Sequence, residues 1–323
     1  MTTIGLLGAA GIAVNAVIWP ARRRGDVTVA AVASRSGPDD YARRHGIPRT
    51  YATYEQLLAD PEIDLVYNAL PPSMHAEWTI AAVRAGKDVL CEKPFTMTAA
   101  EARRVVAAAQ QAGCRVVEAF HDHYHPLSAW IRHTVAGGAL GRIVLAEAVF
   151  TGSTPYAPGT LRHEPALGGG ALMDLGCYPV HWLRTLFPEP PEVTAAEARL
   201  NPAGADVSIE AELAFGAVPA LVRASMADGV PLDSSLVLTG EHGDLRVDNI
   251  VFPSNGHSIR LTLDGVPRIS TVAGRTTYDH QLDAVLTALR EESPLPTEGE
   301  DPIANMAVID AIYAAAGFER SWS

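Results

Sequence analysis

Lysine is almost missing from this chain. Of 25 cationic side chains in 323 residues, two are lysine, Lys87 and Lys93, and the other 23 are arginine. Arginine is always charged, whereas lysine is a compact ammonium whose pKa moves on burial. A lysine kept against that background is a candidate for chemistry. Lys93, in "LCEKPF", is read that way; Lys87, in "AGKDVL", is read as chance retention on a surface. Cysteine is scarce as well. Cys91, Cys114 and Cys177 show no CxxC spacing and cannot make a full disulfide set, which points to a reducing cytoplasm. Positive charge is in deficit, with a formal net charge of −12, and this excludes a basic nucleic-acid surface. Long hydrophobic runs are wanting too. "IGLLGAAGIAVNAVIWPA" is as apolar as a signal core, but Arg22, Arg23 and Arg24 follow it rather than precede it. Glycines and Asn15 break it well short of a membrane span. No nucleic acid and no membrane is expected as a partner.

What remains is a soluble globular composition, 48% apolar and 19% charged, in a chain long enough for two domains. Residues 1 to about 120 alternate apolar strand runs, such as "TIGLLG", "VTVAAVAS" and "DLVYNAL", with helical segments. Capping-box spacings at Thr53–Gln56 and Thr98–Glu101 open two of those helices, and Gly86 and Gly113 sit where C-caps belong. Such alternation predicts an α/β fold with a doubly wound parallel sheet. Beyond it come a helix near 127–136 and a strand near 143–150. Alternating runs then predict antiparallel strands with one covered face, and two helices near 278–290 and 302–316 follow. The boundaries are drawn as 1–122 and 123–323, the second an α+β domain with a large, mainly antiparallel open sheet.

"GLLGAAGIA" follows the first strand and opens the first helix, with Gly8, Ala10 and Ala13 at the three positions of a dinucleotide fingerprint. Gly8 permits the tight turn; around Ala10, Gly11 and Ile12 the backbone can approach a pyrophosphate on the helix N-terminus. The second strand ends in "AVASRSG", with Ser34 and Arg35 where an NAD site would carry an acid. That favours a contact to a 2′-phosphate, and NADP over NAD. Later, "GGGALMDLGCYPVH" puts Asp174 and Tyr178 four residues apart, on one face if helical, with His181 three further on. Pro179 implies an irregular turn beside the tyrosine.

With "EKP" at Glu92–Pro94 and "EDPIANMAVIDAIYAAA" near the end, these pieces resemble the glucose–fructose oxidoreductase / inositol dehydrogenase (Gfo/Idh/MocA) family over essentially the whole length. The chain is most similar to the branch of dihydrodiol dehydrogenases, NADP-dependent xylose 1-dehydrogenases and sugar ketoreductases. The resemblance implies a Rossmann domain that binds NADP(H), and hydride transfer to or from a sugar, polyol or cyclic diol carbon. It makes Lys93 and Tyr178 the catalytic pair, with Lys93 touching the nicotinamide ribose and reacting oxygen and Tyr178 donating the proton. An ammonium about 4 Å from a phenol, at an effective dielectric near 20, favours the phenolate by up to about 4 kcal/mol. Half of that is on the order of 1.5 pKa units, enough to bring tyrosine towards neutrality.

The resemblance also assigns Asp174, Arg162, His123 and His181 to the substrate. To the cofactor contacts it adds Leu70, Pro71, His75 and Glu92, and it implies a homodimer or homotetramer built through the C-terminal sheet. Asp122, His123 and Pro72 depart from the family's usual residues. The alternating His121, His123 and His125 would share one side of an extended strand and offer a zinc set. Pro126 ends the run, however, and the family uses no metal, so a pocket rim is preferred. Rival classes are an NAD-dependent glycosidase, opposed by Ser34–Arg35, and a non-catalytic cofactor-sensing regulator, opposed by Lys93 with Tyr178. Cys91 and Cys177 flank the catalytic residues, so thiol reagents are expected to block the site unless both are buried and inert.

Overall fold

The computed structural model describes residues 1–35 and 37–318, and every absence or count below refers to those. Residues 319–323 of the expected second domain lie outside them. The chain forms two units: Met1–Phe120 with Tyr278–Met306, and His121–Thr277 with the chain from Ala307. A single change of domain near residue 122 is therefore corrected, because Tyr278–Met306 belongs with the first unit. Charge and backbone pairing explain why. Arg115 donates to Glu298 through Nε and Nη2 and to the Ala288 carbonyl through Nη1, while Glu118 and Thr297 exchange two hydrogen bonds. Arg23 and Arg24, which end the first helix, pair with Asp279 and Asp283.

The first unit holds a six-stranded parallel sheet of β1 (Thr2–Leu7), β2 (Val27–Ala33), β3 (Arg49–Tyr51), β4 (Leu65–Asn68), β5 (Asp88–Cys91) and β6 (Val116–Glu118). Its order is β3-β2-β1-β4-β5-β6, so the direction of winding reverses between β1 and β4. This is a Rossmann arrangement, and ligands of such sheets bind at the carboxyl ends of the strands near that reversal. β4 is buried at all four residues, as a strand covered on both faces should be. Thr53 and Thr98 cap their helices as the spacing predicts, and Gly113 ends one in the left-handed region. In the helix after β1, the Trp19 amide reaches back five residues to the Val14 carbonyl. The widened turn stands directly before Pro20, which has no N–H to continue the ladder.

The second unit holds an eight-stranded sheet of β7 (Ile143–Thr151), β8 (Glu192–Leu200), β9 (Asp206–Phe215), β10 (Val218–Ser225), β11 (Asp233–Gly240), β12 (Gly243–Asp248), β13 (Ser258–Leu263) and β14 (Val266–Ser270). The order is β14-β13-β12-β11-β7-β10-β9-β8, antiparallel throughout except for β7 beside β10. Burial alternates along β9 and β10, so the sheet has one covered face. The helical run from Leu172 to Leu186 lies against β7 and β10. The other face carries charge, with Arg223 paired to Glu210 and exposed positions along β8.

Lys87 corrects its own reading as a surface residue. It is 8% exposed, and its ammonium donates to the carbonyls of Asp60 and Ile63 at 2.8 and 2.7 Å. Only a compact cation on a slim stem reaches both oxygens between packed elements. Lys87→Met should leave two buried carbonyls without a donor and cost on the order of 3 kcal/mol. Urea denaturation would show this as a lower midpoint, with catalytic turnover per folded molecule unchanged.

Candidate active site

The first unit presents a nucleotide cradle at the carboxyl ends of β1 and β2. Gly8 turns the chain out of β1 with φ 93°, a conformation that L side chains rarely adopt, while its amide donates to the Ala33 carbonyl. A Cβ at Gly11 would meet nothing within 4 Å, so the backbone there borders open space. Ala10 is fixed from behind, its carbonyl accepting from the Tyr41 hydroxyl at 2.9 Å. Burial raises that phenol to about 12, so Tyr41 stays protonated and continues to donate. Ile12 is partly exposed at the start of the helix. Ser34 is buried just past β2, and Arg35 is exposed with its guanidinium against the Met74 sulfur. An open helix N-terminus beside an exposed cation is a donor set that fits a dinucleotide with a 2′-phosphate.

Lys93 leaves β5 on a cis peptide bond to Pro94, and its side chain is half-buried. Glu92 before it is buried. It accepts from the Tyr67 hydroxyl and from the Lys93 amide, so it orients the backbone that carries the lysine. His75 ties two loops together. Its Nδ1 lies 2.9 Å from the Pro94 carbonyl and its Nε2 2.8 Å from the Leu70 carbonyl. Asn68 completes the knot, accepting from the Leu70 amide and donating to Thr79. Leu70 and Pro71 are thereby held at the end of β4, and Pro72 starts the next helix, a position where its missing N–H costs nothing.

In the second unit the triple glycine explains itself. Gly170 has φ 128°, and a Cβ there would lie 2.1 Å from Asp206 Oδ1. The Asp206 carboxylate, buried, accepts from the Leu172 amide and from the Tyr313 hydroxyl, so it caps the run that follows. A Cβ at Gly169 would collide with the carbonyl of Leu161, so the glycine lets the Leu161–His163 turn lie close. That proximity delivers Arg162, whose Nε donates to Asp174 Oδ2 at 2.6 Å. Asp174 stands in a widened turn, Leu172–Gly176, and Tyr178 in the helix Cys177–Leu186 that continues it. Pro179 interrupts the same ladder.

"HDHYH" is not extended. His121–Tyr124 is a 3-10 turn, and His125 caps the helix that begins at Pro126, accepting from the Leu127 amide. The three histidines consequently part company. His121 Nε2 is 3.0 Å from the Tyr178 hydroxyl, and His123 packs its ring on His181 at 5.2 Å. Among the described residues no group of three or more histidine, cysteine or acidic side chains has the arrangement to hold a metal ion. His181 is fully buried, and His123, packed against it, is 7% exposed. Asp122 is fully buried too, with Trp182 Nε1 donating to it at 2.6 Å, and burial raises its carboxyl. Sequence reading missed Asp206, Thr277, Phe252 and Trp182, since nothing in the spacing links them to the motifs. Cys91 and Cys177 are both wholly buried, and burial pushes the Cys91 thiol well up. The inert alternative therefore describes them, and the expected block by thiol reagents is withdrawn.

The Rossmann sheet, with its glycine turn and open helix N-terminus, defines a dinucleotide-binding class of protein. Residues 2–120 match the oxidoreductase family with NAD-binding Rossmann fold, and residues 128–246 match the GFO/IDH/MocA C-terminal domain. A D-xylose 1-dehydrogenase (NADP(+)) from Haloferax volcanii is 32% identical, covering 97% of this chain and 96% of its own. A trans-1,2-dihydrobenzene-1,2-diol dehydrogenase from Xenopus laevis is 32% identical over 70% of this chain and 69% of its own. A 3-ketoreductase from Actinomadura kijaniata, solved with NADP and TDP-benzene, superposes with a TM-score of 0.88 at 25% identity, over 97% of both chains. The chain belongs to the Gfo/Idh/MocA oxidoreductase family.

The clamp at His75 has a pH signature. Its two ring nitrogens both face carbonyl oxygens, which the imidazolium would satisfy better, yet burial dominates and lowers its pKa to about 4. Between about pH 6.5 and pH 4 the unfolded chain binds a proton here that the folded chain refuses. Stability should fall as the pH drops through that window, by roughly 3 kcal/mol from this group. His75→Gln should flatten that part of the stability–pH curve in denaturant titrations. Identical slopes in the two proteins would contradict a buried neutral ring.

Proposed function

We propose that this chain is an NADP(H)-dependent dehydrogenase or reductase that moves a hydride to or from the carbinol carbon of a sugar, polyol or cyclic diol. The observation that carries it is the Tyr178 hydroxyl, 4% exposed and held by a hydrogen bond, on the helical run that also bears Asp174. NADP, when bound, gives or takes the hydride. The chain's own residues do the rest. Tyr178 donates the proton to the substrate oxygen in reduction and withdraws it in oxidation. Lys93 supplies the positive charge that brings the phenolate within reach of neutral pH. Asp174 and Arg162, already paired, offer an acceptor and donors to neighbouring substrate hydroxyls, and His123, packed on His181, adds a further polar contact to the substrate.

Gly8, Ala10, Gly11 and Ile12 frame the pyrophosphate, and Ser34 and Arg35 meet the 2′-phosphate. Leu70, Pro71, His75 and Glu92 set the walls along the nicotinamide half. NADP appears in the names of the xylose dehydrogenase and of the ketoreductase complex, and sugars or diols are named for two of the three relatives. No helix among the described residues is long and apolar enough to cross a membrane. The cytoplasm suits the three cysteines, none of which forms a disulfide. The charged, uncovered face of the eight-stranded sheet is the surface through which copies of the chain pair.

A spectrophotometric screen of sugars, diols and ketones with NADP+ and NADPH tests the activity directly; no turnover on any of them would sink it. Arg35→Ala should weaken NADPH binding roughly 10- to 100-fold and leave NADH nearly untouched, as calorimetry would report. Equal weakening of both would remove the 2′-phosphate role. Lys93→Arg keeps the charge and loses the compact shape, so kcat should fall by about 10²-fold or more while the fold survives. Near-normal turnover in that variant would reduce Lys93 to a plain cation.

A further inference from the structure

We propose that His121 and Thr277 form a proton relay behind Tyr178, an inference that rests on Tyr178 being the proton donor. The three side chains are in unbroken hydrogen-bond contact. The Tyr178 hydroxyl meets His121 Nε2 at 3.0 Å, and His121 Nδ1 meets Thr277 Oγ1 at 2.7 Å. All three are nearly shut from water, at 4%, 2% and 2% exposure. The imidazole is held at the right angle by its packing. Phe252 stacks on it with ring centres 5.8 Å apart, and Tyr178 meets it edge-on at the same distance. Phe150 fixes the tyrosine ring from another side. Thr277 follows directly on an exposed stretch, residues 273–276, where water begins.

A phenol that gives up its proton in a closed site must recover it, and no solvent reaches the Tyr178 oxygen freely. A neutral imidazole with one donor and one acceptor nitrogen is the group that can pass a proton without itself becoming charged. In reduction the Tyr178 O–H bond breaks and the proton goes to the substrate oxygen as the hydride arrives at carbon. The His121 Nε2–H bond then breaks and the phenol O–H re-forms. At the far side Nδ1 takes the proton of the Thr277 hydroxyl, and that hydroxyl takes one from water. The net change is one proton moved from solvent to product, with His121 left in its other tautomer. Between turnovers, with product released, the transfers run in reverse while the phenol oxygen takes its proton from the water that replaces the product, and the ring returns to its first tautomer. In oxidation every transfer runs in reverse. His121 touches neither substrate nor cofactor in this scheme; it is a positioning residue that also conducts.

Two measurements on the full chain test the relay. The first needs no substrate: with histidines labelled by ¹⁵N, long-range proton–nitrogen spectra report the tautomer of each ring. Tyr178→Phe should shift both nitrogens of His121, and Thr277→Val should shift Nδ1 most. An unmoved His121 signal in both variants would overturn the proposal. The second uses a carbohydrate found by the screen above, assayed with NADP+ in mixtures of H2O and D2O. The native enzyme should give a curved proton inventory. His121→Gln, which keeps a polar side chain but cannot relay, should make it linear and lower kcat about 10- to 100-fold with NADPH affinity unchanged. Imidazole added to His121→Ala should restore part of kcat. A native-like inventory and turnover in His121→Gln would overturn the relay. Full turnover in Tyr178→Phe would overturn the assignment of the donor itself, a separate failure. Should His121→Gln not fold, Thr277→Val takes its place with the same expectations.

Discussion

The Tyr178 hydroxyl is out of reach of water, and a buried hydroxyl is costly unless it finds a partner. That one requirement organises the second unit. The partner is His121, whose ring reaches the phenol from the His121–Tyr124 turn. His121 in its turn needs a partner at Nδ1, and Thr277, 156 residues further along, provides it. Segments that are remote in sequence converge on one buried phenol.

Around that hydrogen bond the backbone is shaped by space as much as by attraction. Gly169 and Gly170 leave no room for a side chain, since Asp206 and the Leu161–Arg162 backbone occupy the places where Cβ atoms would stand. Asp206 caps the helical run, and the close turn puts Arg162 onto Asp174. In the first unit His75 plays the corresponding part, binding the Leu70 and Pro94 carbonyls so that the nucleotide loop and the lysine loop cannot drift apart. Both devices use a buried polar side chain to fix backbone next to the chemistry, which is how a site is kept within a fraction of an ångström.

The two lysines teach the limit of reasoning from rarity. Both are kept where arginine is the rule, and both carry the same small ammonium. For Lys87 that ammonium satisfies two interior carbonyls, with no chemistry involved. Scarcity identifies a position where the guanidinium fork does not fit; it does not say whether the reason is packing or catalysis. What sets Lys93 apart is its place, at the carboxyl end of a sheet strand next to the point where the winding reverses.

Periodicity and turn chemistry are local, so they were legible without coordinates. The alternation of strands and helices, the caps at Thr53 and Thr98, the glycine turn after β1 and the one-faced antiparallel strands all follow from interactions a few residues apart. The motif residues Gly8, Arg35, Lys93, Asp174 and Tyr178 stood out for the same reason, each belonging to a short pattern. The partners of those residues did not. The return of Tyr278–Met306 to the first unit, the interior place of Lys87, the dispersal of His121, His123 and His125 into three roles, and the Asp206 cap all depend on contacts across tens to hundreds of residues. A local pattern states which conformations a segment prefers. Only the packed chain decides which distant polar group must satisfy a buried one, because that demand exists only once water has been excluded.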